Sequence, residues 1–356
     1  MLKIDTYAVD TYAKQFVTDF WSDSSVPRYI FGRNRFAESI ARLIKVDGFI
    51  DDFTAEKEYL GKPIVPIDQV PDDALVVVVV VLGKPLKAEK RVRAFQFRSL
   101  SYYPFFKYSE KDLLGIDFQE DFAEQFVQNR EKFEKVYSLL ADSTSKNQLY
   151  NLINFRLSLD LYYLRGFAAL EDRQYFEDFV EFSDKEVFVD VGGYDGYTTR
   201  YFANLCPNYK AIHFFEPEEV NMRVAQKNLV DLAHVTYYQQ GLSDKKEMLY
   251  FQKAGSSSHI VTNGDISIKV DALDALVTDT VTFIKMDIEG AEEKALIGCR
   301  QIIEKHRPKL AISVYHHANA MWQITEYILS VYPDYNLYLR HYTEGCTETV
   351  MFFIPR

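Results

Sequence analysis

Short apolar runs alternate with helix-forming stretches along most of the chain. The longest run, residues 74–82, contains six consecutive valines, and β-branched residues without polar interruptions are typical of a parallel strand that is buried on both faces. It is about half as long as a bilayer crossing requires. Strands that alternate with helices predict an α/β protein.

The first hundred residues predict a small sheet of their own. Its apolar runs lie at 29–31, 48–50, 62–67 and 74–82, with a helix at 35–44. This alternation predicts a small Rossmann-like domain over residues 1–108. Gly32 is followed by Arg33, Asn34 and Arg35, where a phosphate-binding turn needs small residues, so a bound dinucleotide is disfavoured. The arginines are candidates for binding a nucleotide-sugar diphosphate, and surface arginines are the alternative.

Residues 109–183 predict a mainly helical connector. Between residues 121 and 140, apolar positions recur at three- and four-residue steps and give one buried face. Proline and glycine are nearly absent, so the segment is not a flexible linker. Residues 184–356 form the third predicted domain, which contains a helix at 292–306 and closes with a hairpin of strands at 335–341 and 349–354.

The most informative pattern lies at 186–200 and reads EVFVDVGGYDGYTTR. Its apolar run ends in Asp190, and Gly192 and Gly193 open a turn before a threonine-led helix. A parallel sheet presents a nucleoside at its carboxyl edge in this way. The next strand ends at Glu216, whose carboxylate can accept hydrogen bonds from both ribose hydroxyls. The pattern predicts a nucleoside-cofactor site.

Two carboxylates favour one class of nucleoside. Asp190 precedes the glycine turn and Asp195 lies within it, and both would repel the pyrophosphate of a dinucleotide. They suit the amino group and positive charge of S-adenosylmethionine. A turn whose glycines serve only the backbone is the alternative. The predicted cofactor contacts in this region are Asp190, Gly192, Gly193, Tyr194, Asp195, Gly196, Thr198, Glu216 and Pro217, and Asp287 further along the chain.

Three further motifs complete an ordered set. They are FFEPEEVNMRVAQKNL from residue 214, GLSD from 241 and FIKMDIEGAEEKAL from 283. With VFVDVGGYDGYTT they resemble the FkbM-type branch of the class I S-adenosylmethionine-dependent methyltransferases, from about residue 137 onward. The resemblance implies a seven-stranded sheet in the order 3-2-1-4-5-7-6 with the last strand antiparallel. It also implies methyl transfer to hydroxyl oxygens of sugars or natural products.

The same resemblance assigns roles to two more regions. Ser243 or Asp244 is expected to contact the adenine. The helical segment that ends near Tyr175 and Phe176 is expected to close over the cofactor or the acceptor, although pure packing explains the two aromatic residues equally well.

The ends of the fourth and fifth strands of this domain supply candidate catalytic residues. Asp287 and Glu289 follow the strand at 281–286, and His316 and His317 follow the strand at 310–314. A neutral histidine can accept the proton of an acceptor hydroxyl. Adjacent residues at a strand end usually point to opposite sides, so His316 is expected to reach the site before His317. Surface positions for both histidines are the alternative.

A divalent metal is the competing mechanism. Catechol-type methyltransferases of the same superfamily hold magnesium through carboxylates at strand ends, where the ion lowers the pKa of the acceptor hydroxyl. Asp287 and Glu289 are the candidate ligands for Mg²⁺. Ile288 separates them, and Glu216 is already assigned to the ribose, so the metal is an option and not a requirement.

Three other positions have open roles. Lys285 either orients Asp287 or the cofactor carboxylate, or caps its strand. The polar loop at 255–259 either contacts a ligand or is an exposed turn. Arg340 and His341 either face the acceptor or are solvated on an edge strand.

Charge and cysteine content narrow the function class. The net charge of −11 argues against a nucleic-acid surface, which needs clustered Lys and Arg. Cys206, Cys299 and Cys346 form neither a CxxC motif nor a disulfide framework, which favours the cytoplasm. The first 21 residues carry acids and lack a signal-peptide core, so neither secretion nor membrane insertion is expected.

Together these features predict a cytoplasmic S-adenosylmethionine-dependent O-methyltransferase. Its expected acceptor is a sugar, a glycan or a related small molecule, and a homo-oligomer is left open. The alternative is a catalytically inactive module that binds S-adenosylmethionine or a nucleotide-sugar. An NAD-dependent sugar oxidoreductase ranks below both because the turn after Gly32 lacks the required glycines.

Overall fold

The computed structural model describes residues 1–22, 25–170, 173–252, 259–261 and 266–356. The chain forms two compact units. The first comprises Met1–Gln128, Asn147–Glu171 and His341–Glu348, and the second comprises Asn129–Lys146, Asp172–Arg340 and Thr349–Arg356. The expected connector at 109–183 is therefore divided between the two units. Most of the polar loop predicted at 255–259 lies outside the described residues.

The first unit is built on a six-stranded sheet. Its strands are β1 (Arg28–Phe31), β2 (Gly48–Ile50), β3 (Glu58–Tyr59), β4 (Lys62–Val65), β5 (Leu75–Val78) and β6 (Arg98–Ser101). They lie in the order β3-β4-β2-β1-β5-β6; β3 pairs antiparallel with β4, and the other pairs are parallel. Val76, Val77 and Val78 are at most 1% exposed, so the first three of the six valines lie in a buried strand between β1 and β6. The small Rossmann-like sheet predicted from the sequence is confirmed, and the domain bounds 1–108 stay a prediction.

The described residues of the first half of the chain form seven α-helices. They are α1 (Thr11–Ser22), α2 (Arg35–Leu43), α3 (Pro85–Val92), α4 (Tyr102–Tyr108), α5 (Phe122–Gln128), α6 (Arg130–Leu139) and α7 (Ser143–Ser158). The amphipathic pattern between residues 121 and 140 becomes α5 and α6 and not one helix, and each helix buries the phenylalanines of one face, Phe122, Phe126 and Phe133. Among the described residues, no helix is long and apolar enough to cross a bilayer.

The second unit contains eleven described strands. They are β7 (Val187–Val191), β8 (Ala211–Phe215), β9 (Val235–Tyr238), β10 (Gly241–Leu242), β11 (Glu247–Gln252), β12 (His259–Val261), β13 (Ile266–Asp271), β14 (Phe283–Met286), β15 (Lys309–Ser313), β16 (Tyr335–His341) and β17 (Thr349–Pro355). Seven of them form the main sheet in the order β9-β8-β7-β14-β15-β17-β16, and β17 runs antiparallel to β15. Counted along the chain, this is the order 3-2-1-4-5-7-6, so the predicted sheet is confirmed.

A smaller sheet is inserted between the third and fourth strands of the main sheet. Its order is β10-β13-β11-β12, and β11 pairs antiparallel with both β12 and β13. The pairing of Gly241 with Val270 and of Leu242 with Asp271 joins β10 to β13 in parallel. The segment that follows GLSD is therefore part of a four-stranded sheet.

Besides α6, the described residues of the second unit form six further α-helices. They are α8 (Tyr197–Leu205), α9 (Glu219–Asn228), α10 (Leu273–Leu276), α11 (Glu292–Ile297), α12 (Arg300–His306) and α13 (Ala320–Val331). The single helix predicted from Glu292 to His306 is wrong, because the chain breaks at Gly298. A Cβ there would lie 2.0 Å from the carbonyl oxygen of Ser243, so this close approach fixes a glycine and interrupts the helix.

Aromatic side chains fill the core beneath β7 and β14. Phe188, Phe202 and Phe283 are fully buried, and the rings of Phe188 and Phe283 are stacked with centroids 5.1 Å apart. Such pairs add about 0.5–1.5 kcal/mol to the free energy of area burial. This packing of aromatic rings therefore holds β7 and β14, the strands that carry the candidate site, in place.

Candidate functional site

Three neighbouring strands of the second unit end at the same edge of the sheet. Val191 pairs with Phe215 on one side and with Met286 on the other. The next residue along each strand is Gly192, Glu216 or Asp287, so these three lie side by side. In open α/β sheets, ligands bind at this carboxyl edge.

The turn after β7 depends on its glycines for packing. Gly192 has a φ of 76°, and a Cβ there would lie 1.9 Å from the carbonyl oxygen of Asp287. A Cβ on Gly193 would lie 2.1 Å from the ring of Phe214. Both glycine N–H groups donate to the carbonyl of Phe215 at 3.0 Å. The turn thus lies tightly between β8 and β14.

Glu216 is a buried carboxylate that borders this turn. The residue is 6% exposed, and its carboxylate accepts from the N–H groups of Tyr194 at 3.0 Å and Glu218 at 2.8 Å. Burial raises the pKa of the Glu216 carboxyl, although the two N–H groups favour its ionised form. A carboxylate has more acceptor positions than these two bonds use, so it retains capacity for ligand hydroxyls.

Asp190 lies deeper than the sequence suggested. It is fully buried, its carboxylate is 3.1 Å from Nζ of Lys285, and it accepts from the hydroxyl of Thr199 at 2.7 Å. Lys285 also donates to the carbonyl of Gly192 at 2.6 Å. Lys285, on β14, therefore contacts both Asp190 at the end of β7 and the backbone of the glycine turn. Both side chains stabilise the turn from its buried side.

The other predicted cofactor residues lie around the turn at different depths. Asp195 accepts from the N–H of Tyr197 at 3.0 Å. Tyr194 is 63% exposed, and Thr198 and Pro217 are half-buried. Gly196 has a φ of 87° and caps the start of α8. Their cofactor roles stay predictions.

Ser243 and Asp244 follow β10 in the small sheet. Ser243 is 1% exposed, and its N–H donates to the carbonyl of Asp271 at 3.0 Å. Its hydroxyl donates to the exposed carboxylate of Asp244 at 3.1 Å. Of the two residues, Asp244 is therefore the one available to a ligand.

Asp287, after β14, receives donors from two other segments. The hydroxyl of Tyr175 donates to Oδ2 at 2.7 Å, and the hydroxyl of Tyr315 lies 3.4 Å from Oδ1. Nε2 of His316 lies 3.5 Å from the same Oδ1. Tyr175 is 4% exposed and has a φ of 76°, a conformation that costs a non-glycine residue about 1–3 kcal/mol. Such strain is typical of functional sites.

His316 is surrounded by carboxylates. Its side chain is 1% exposed, Nδ1 lies 3.0 Å from Oε1 of Glu292, and Nε2 lies 3.6 Å from Glu289. Burial disfavours the charged ring, but the hydrogen bond and charge of Glu292, together with Asp287 and Glu289, outweigh it and raise the pKa of His316 to about 9. This raised pKa disfavours the neutral general base expected from the sequence, and the catalytic role of His316 stays a prediction.

His317 has a different environment. It is exposed, and its Nε2 lies 2.9 Å from the carbonyl oxygen of Gly290. Of the two adjacent histidines, only His316 is buried against Asp287.

Comparison with known proteins bears directly on this arrangement. Residues 190–343 match the model of the methyltransferase FkbM domain. The structure also resembles the methyltransferase FkbM from Methylobacillus flagellatus KT, with a TM-score of 0.78 and 25% sequence identity over 98% of this chain and 94% of that one.

Residues 190–343 are an FkbM methyltransferase domain.

Other solved structures match about half of this chain. An rRNA methylase from Streptococcus thermophilus has a TM-score of 0.34 and 14% identity over 49% of this chain and 88% of that chain. Aeropyrum pernix fibrillarin with bound S-adenosylmethionine has a TM-score of 0.31 and 13% identity over 49% and 70%. No curated protein matches the sequence of this chain.

Sequence reasoning missed one residue of the FkbM domain. Glu292 is 2% exposed and, besides facing His316, accepts from the N–H of Ile288 at 2.9 Å. It returns to the site because Glu289 and Gly290 adopt φ values of 54° and 96° and turn the chain back. The third acid of the DIEGAE motif was the available signal, but its direction depends on those two backbone angles.

The metal ligands expected in the FkbM domain, Asp287 and Glu289, differ in burial, and the side chain of Asp287 is 20% exposed. The side chain of Glu289 is 76% exposed. Ligand atoms of Asp287, Glu292 and His316 do lie within 4.8 Å of one another. Mg²⁺ prefers oxygen ligands in octahedral geometry, whereas the imidazole here lies between the carboxylates of Asp287 and Glu292. The residues do not fit Mg²⁺.

The basic residues singled out in the sequence are all paired. Arg33 lies 2.9 Å from Asp51 and contacts Glu56, and Arg35 contacts Asp117. These arginines are neutralised within the first unit, which disfavours a diphosphate ligand there.

Arg340 and His341 are also held by contacts with nearby residues. Arg340 lies 2.7 Å from Asp142. His341 is buried, 3.0 Å from the carbonyl oxygen of Gly345, and burial lowers its pKa to about 3. Neither residue is solvated on an edge strand as the sequence allowed, and their contacts favour a role in packing over one in acceptor binding.

Proposed function

We propose that this protein transfers the methyl group of S-adenosylmethionine to a hydroxyl oxygen of a sugar, a glycan or a related small molecule. One observation supports the proposal above others. Glu216, a buried hydrogen-bond acceptor, and the hydrogen-bonded carboxylate of Asp287 flank the same glycine turn. The first suits a ribose, and the second suits an acceptor hydroxyl. The net charge of −11 supports an acceptor other than nucleic acid, and the buried cysteines suit a cytoplasmic enzyme.

The residues of the β7–β8 edge suit the nucleoside half of the cofactor. The carboxylate of Glu216 can accept further hydrogen bonds. Its burial disfavours the ionised form, and hydrogen bonds from ligand hydroxyls would offset that desolvation. The exposed carboxylate of Asp244 suits the adenine amino group. When bound, S-adenosylmethionine supplies an electrophilic methyl group and a neutral thioether leaving group.

Asp287 is the residue we assign to the acceptor hydroxyl. Its carboxylate would accept the hydroxyl hydrogen bond, align the oxygen lone pair and take the proton as the carbon–oxygen bond forms. Tyr175 and His316 fix the orientation of this carboxylate. Alignment of reacting atoms contributes about 7–11 kcal/mol in favourable cases, and proton acceptance contributes about 10²–10⁴-fold. His317, which is exposed, is not needed.

The test is methyl transfer from labelled S-adenosylmethionine to a panel of sugars and glycans and to their deoxy analogues. The proposal predicts labelled product with a hydroxylated acceptor and none with the matching deoxy analogue. Asp287→Asn should lower kcat by about 10²-fold or more, whereas Glu293→Gln, an exposed neighbour, should have little effect. Cofactor binding without transfer to any acceptor would favour the inactive binding module.

A further inference from the structure

We propose that His316 is a fixed cation of this site, held as an imidazolium by Glu292 and presented to Asp287 in place of a divalent metal. Glu292 then acts as a positioning residue, since it reaches the reacting carboxylate only through His316. The inference deepens the proposed function and rests on it for its catalytic meaning, but the charge state of His316 can be measured without any catalysis.

The orientation of the ring is the first observation. Both ring nitrogens lie near carboxylate oxygens: Nδ1 is 3.0 Å from Glu292, and Nε2 is 3.5 Å from Asp287. A neutral imidazole has one N–H and one lone pair, so one nitrogen would direct its lone pair at a carboxylate. A ring with both nitrogens protonated avoids that repulsion.

Burial is the second observation. The side chains of His316 and Glu292 are 1% and 2% exposed, and an isolated charge at such a position would cost several kcal/mol. A buried carboxylate therefore needs a cation beside it, and His316 is in contact with it. The acidic and phenolic groups that face the ring are Asp287, Glu289, Glu292 and Tyr315, whose ring centroid lies 4.0 Å away. The raised pKa of His316 agrees with this geometry.

The hydrogen bonds of Glu292 explain why a metal is disfavoured. Its Oε1 accepts from the N–H of Ile288 at 2.9 Å and faces Nδ1 of His316. A metal at Asp287, Glu292 and His316 would require a deprotonated ring nitrogen and a carboxylate released from these contacts. The same hydrogen bond fixes the loop that carries Asp287. Glu292 therefore orients both His316 and the loop.

The test is nitrogen NMR of histidine-labelled full-length protein without cofactor or acceptor. His316→Gln assigns the signal among the seven histidines. We expect both ring nitrogens of His316 to be protonated at neutral pH. Glu292→Gln should lower its apparent pKa by about one unit or more, and Glu293→Gln, which changes an exposed neighbour, should leave it unchanged. A neutral ring in the wild type, or an unchanged pKa in Glu292→Gln, would overturn the proposal.

Metal titration provides a second measurement that does not depend on how well Glu292→Gln folds. Mn²⁺ added to the wild type should leave the His316 signal unbroadened, and methyl transfer should be unaffected by a chelator. Broadening with release of a proton from His316 would overturn the proposal. A doubly protonated ring in a protein that transfers no methyl group would refute the proposed function and leave this inference intact.

Discussion

Substitution of Gly192 by alanine tests how closely the glycine turn approaches Asp287. The left-handed φ of 76° costs alanine about 1–2 kcal/mol. The new Cβ would also lie 1.9 Å from the Asp287 carbonyl oxygen, whereas real contacts are longer than 3.0 Å. Moving that backbone by about 1 Å in a packed core adds about 1–3 kcal/mol. The expected loss of unfolding free energy is about 2–5 kcal/mol.

Gly61 provides a matched control. Its φ is 70°, close to that of Gly192, but a Cβ there meets nothing within 4 Å. Gly61→Ala should therefore lose only the conformational cost of about 1–2 kcal/mol. The difference between the two variants isolates the close approach to Asp287.

Urea unfolding followed by tryptophan fluorescence is the assay. The chain has two tryptophans, Trp21 in the first unit and Trp322 in the second. In Trp21→Phe, the remaining Trp322 reports on the second unit, which contains Gly192. In Trp322→Phe, the remaining Trp21 reports on the first unit, which contains Gly61. Equal losses for the two alanine variants would refute the reasoning, because the 1.9 Å overlap would then carry no cost.

Three other predictions concern the buried groups of the site. The pKa of His316 is raised from 6.5 to about 9, so its charge stabilises the fold fully below pH 6.5 and this contribution, at most about 3 kcal/mol, is lost as the pH rises through 9. The difference in unfolding free energy between wild type and His316→Gln should therefore shrink between pH 6 and 10. In the same variant comparison, kcat/KM of the wild type should fall above about pH 9. A rise of kcat/KM with an apparent pKa near 9 would instead make His316 the base. Glu216→Gln leaves one oxygen for the two N–H groups of Tyr194 and Glu218, so it should lower the unfolding free energy by about 1–3 kcal/mol and weaken cofactor binding at least tenfold. Unchanged cofactor binding would contradict this. Tyr175→Phe removes the hydroxyl that donates to Asp287 at 2.7 Å. It should lower kcat about 10–100-fold and the unfolding free energy by about 1 kcal/mol, while the affinity for S-adenosylhomocysteine is retained. An unchanged kcat would leave Tyr175 with a packing role only.

The sheets could be predicted from the sequence because local patterns determine them. The apolar run that ends at Asp190 and the runs that end at Glu216 and Asp287 each mark a buried parallel strand. Once their order is known, the carboxyl edge of the sheet brings Gly192, Glu216 and Asp287 together. For the same reason the valine run at 74–82 was recognisable as containing a buried strand.

The contacts within the site could not be predicted, because they depend on turns and on distant partners. The break at Gly298 results from the approach of Ser243, which lies 55 residues earlier in the chain. The charge on His316 depends on Glu292, which reaches it only through the left-handed turn at Glu289 and Gly290. Residue types indicated that a histidine was present but gave no indication of its protonation state.

Calorimetric titration with S-adenosylhomocysteine is the most direct test of the proposed cofactor site. It should be run on the wild type, on Glu216→Ala, and on Glu219→Ala, which removes an exposed acid of the following helix. We expect micromolar binding to the wild type and to Glu219→Ala, and a loss of binding in Glu216→Ala. Absence of binding to the wild type, or equal binding to all three proteins, would contradict the placement of the cofactor at the β7–β8 edge.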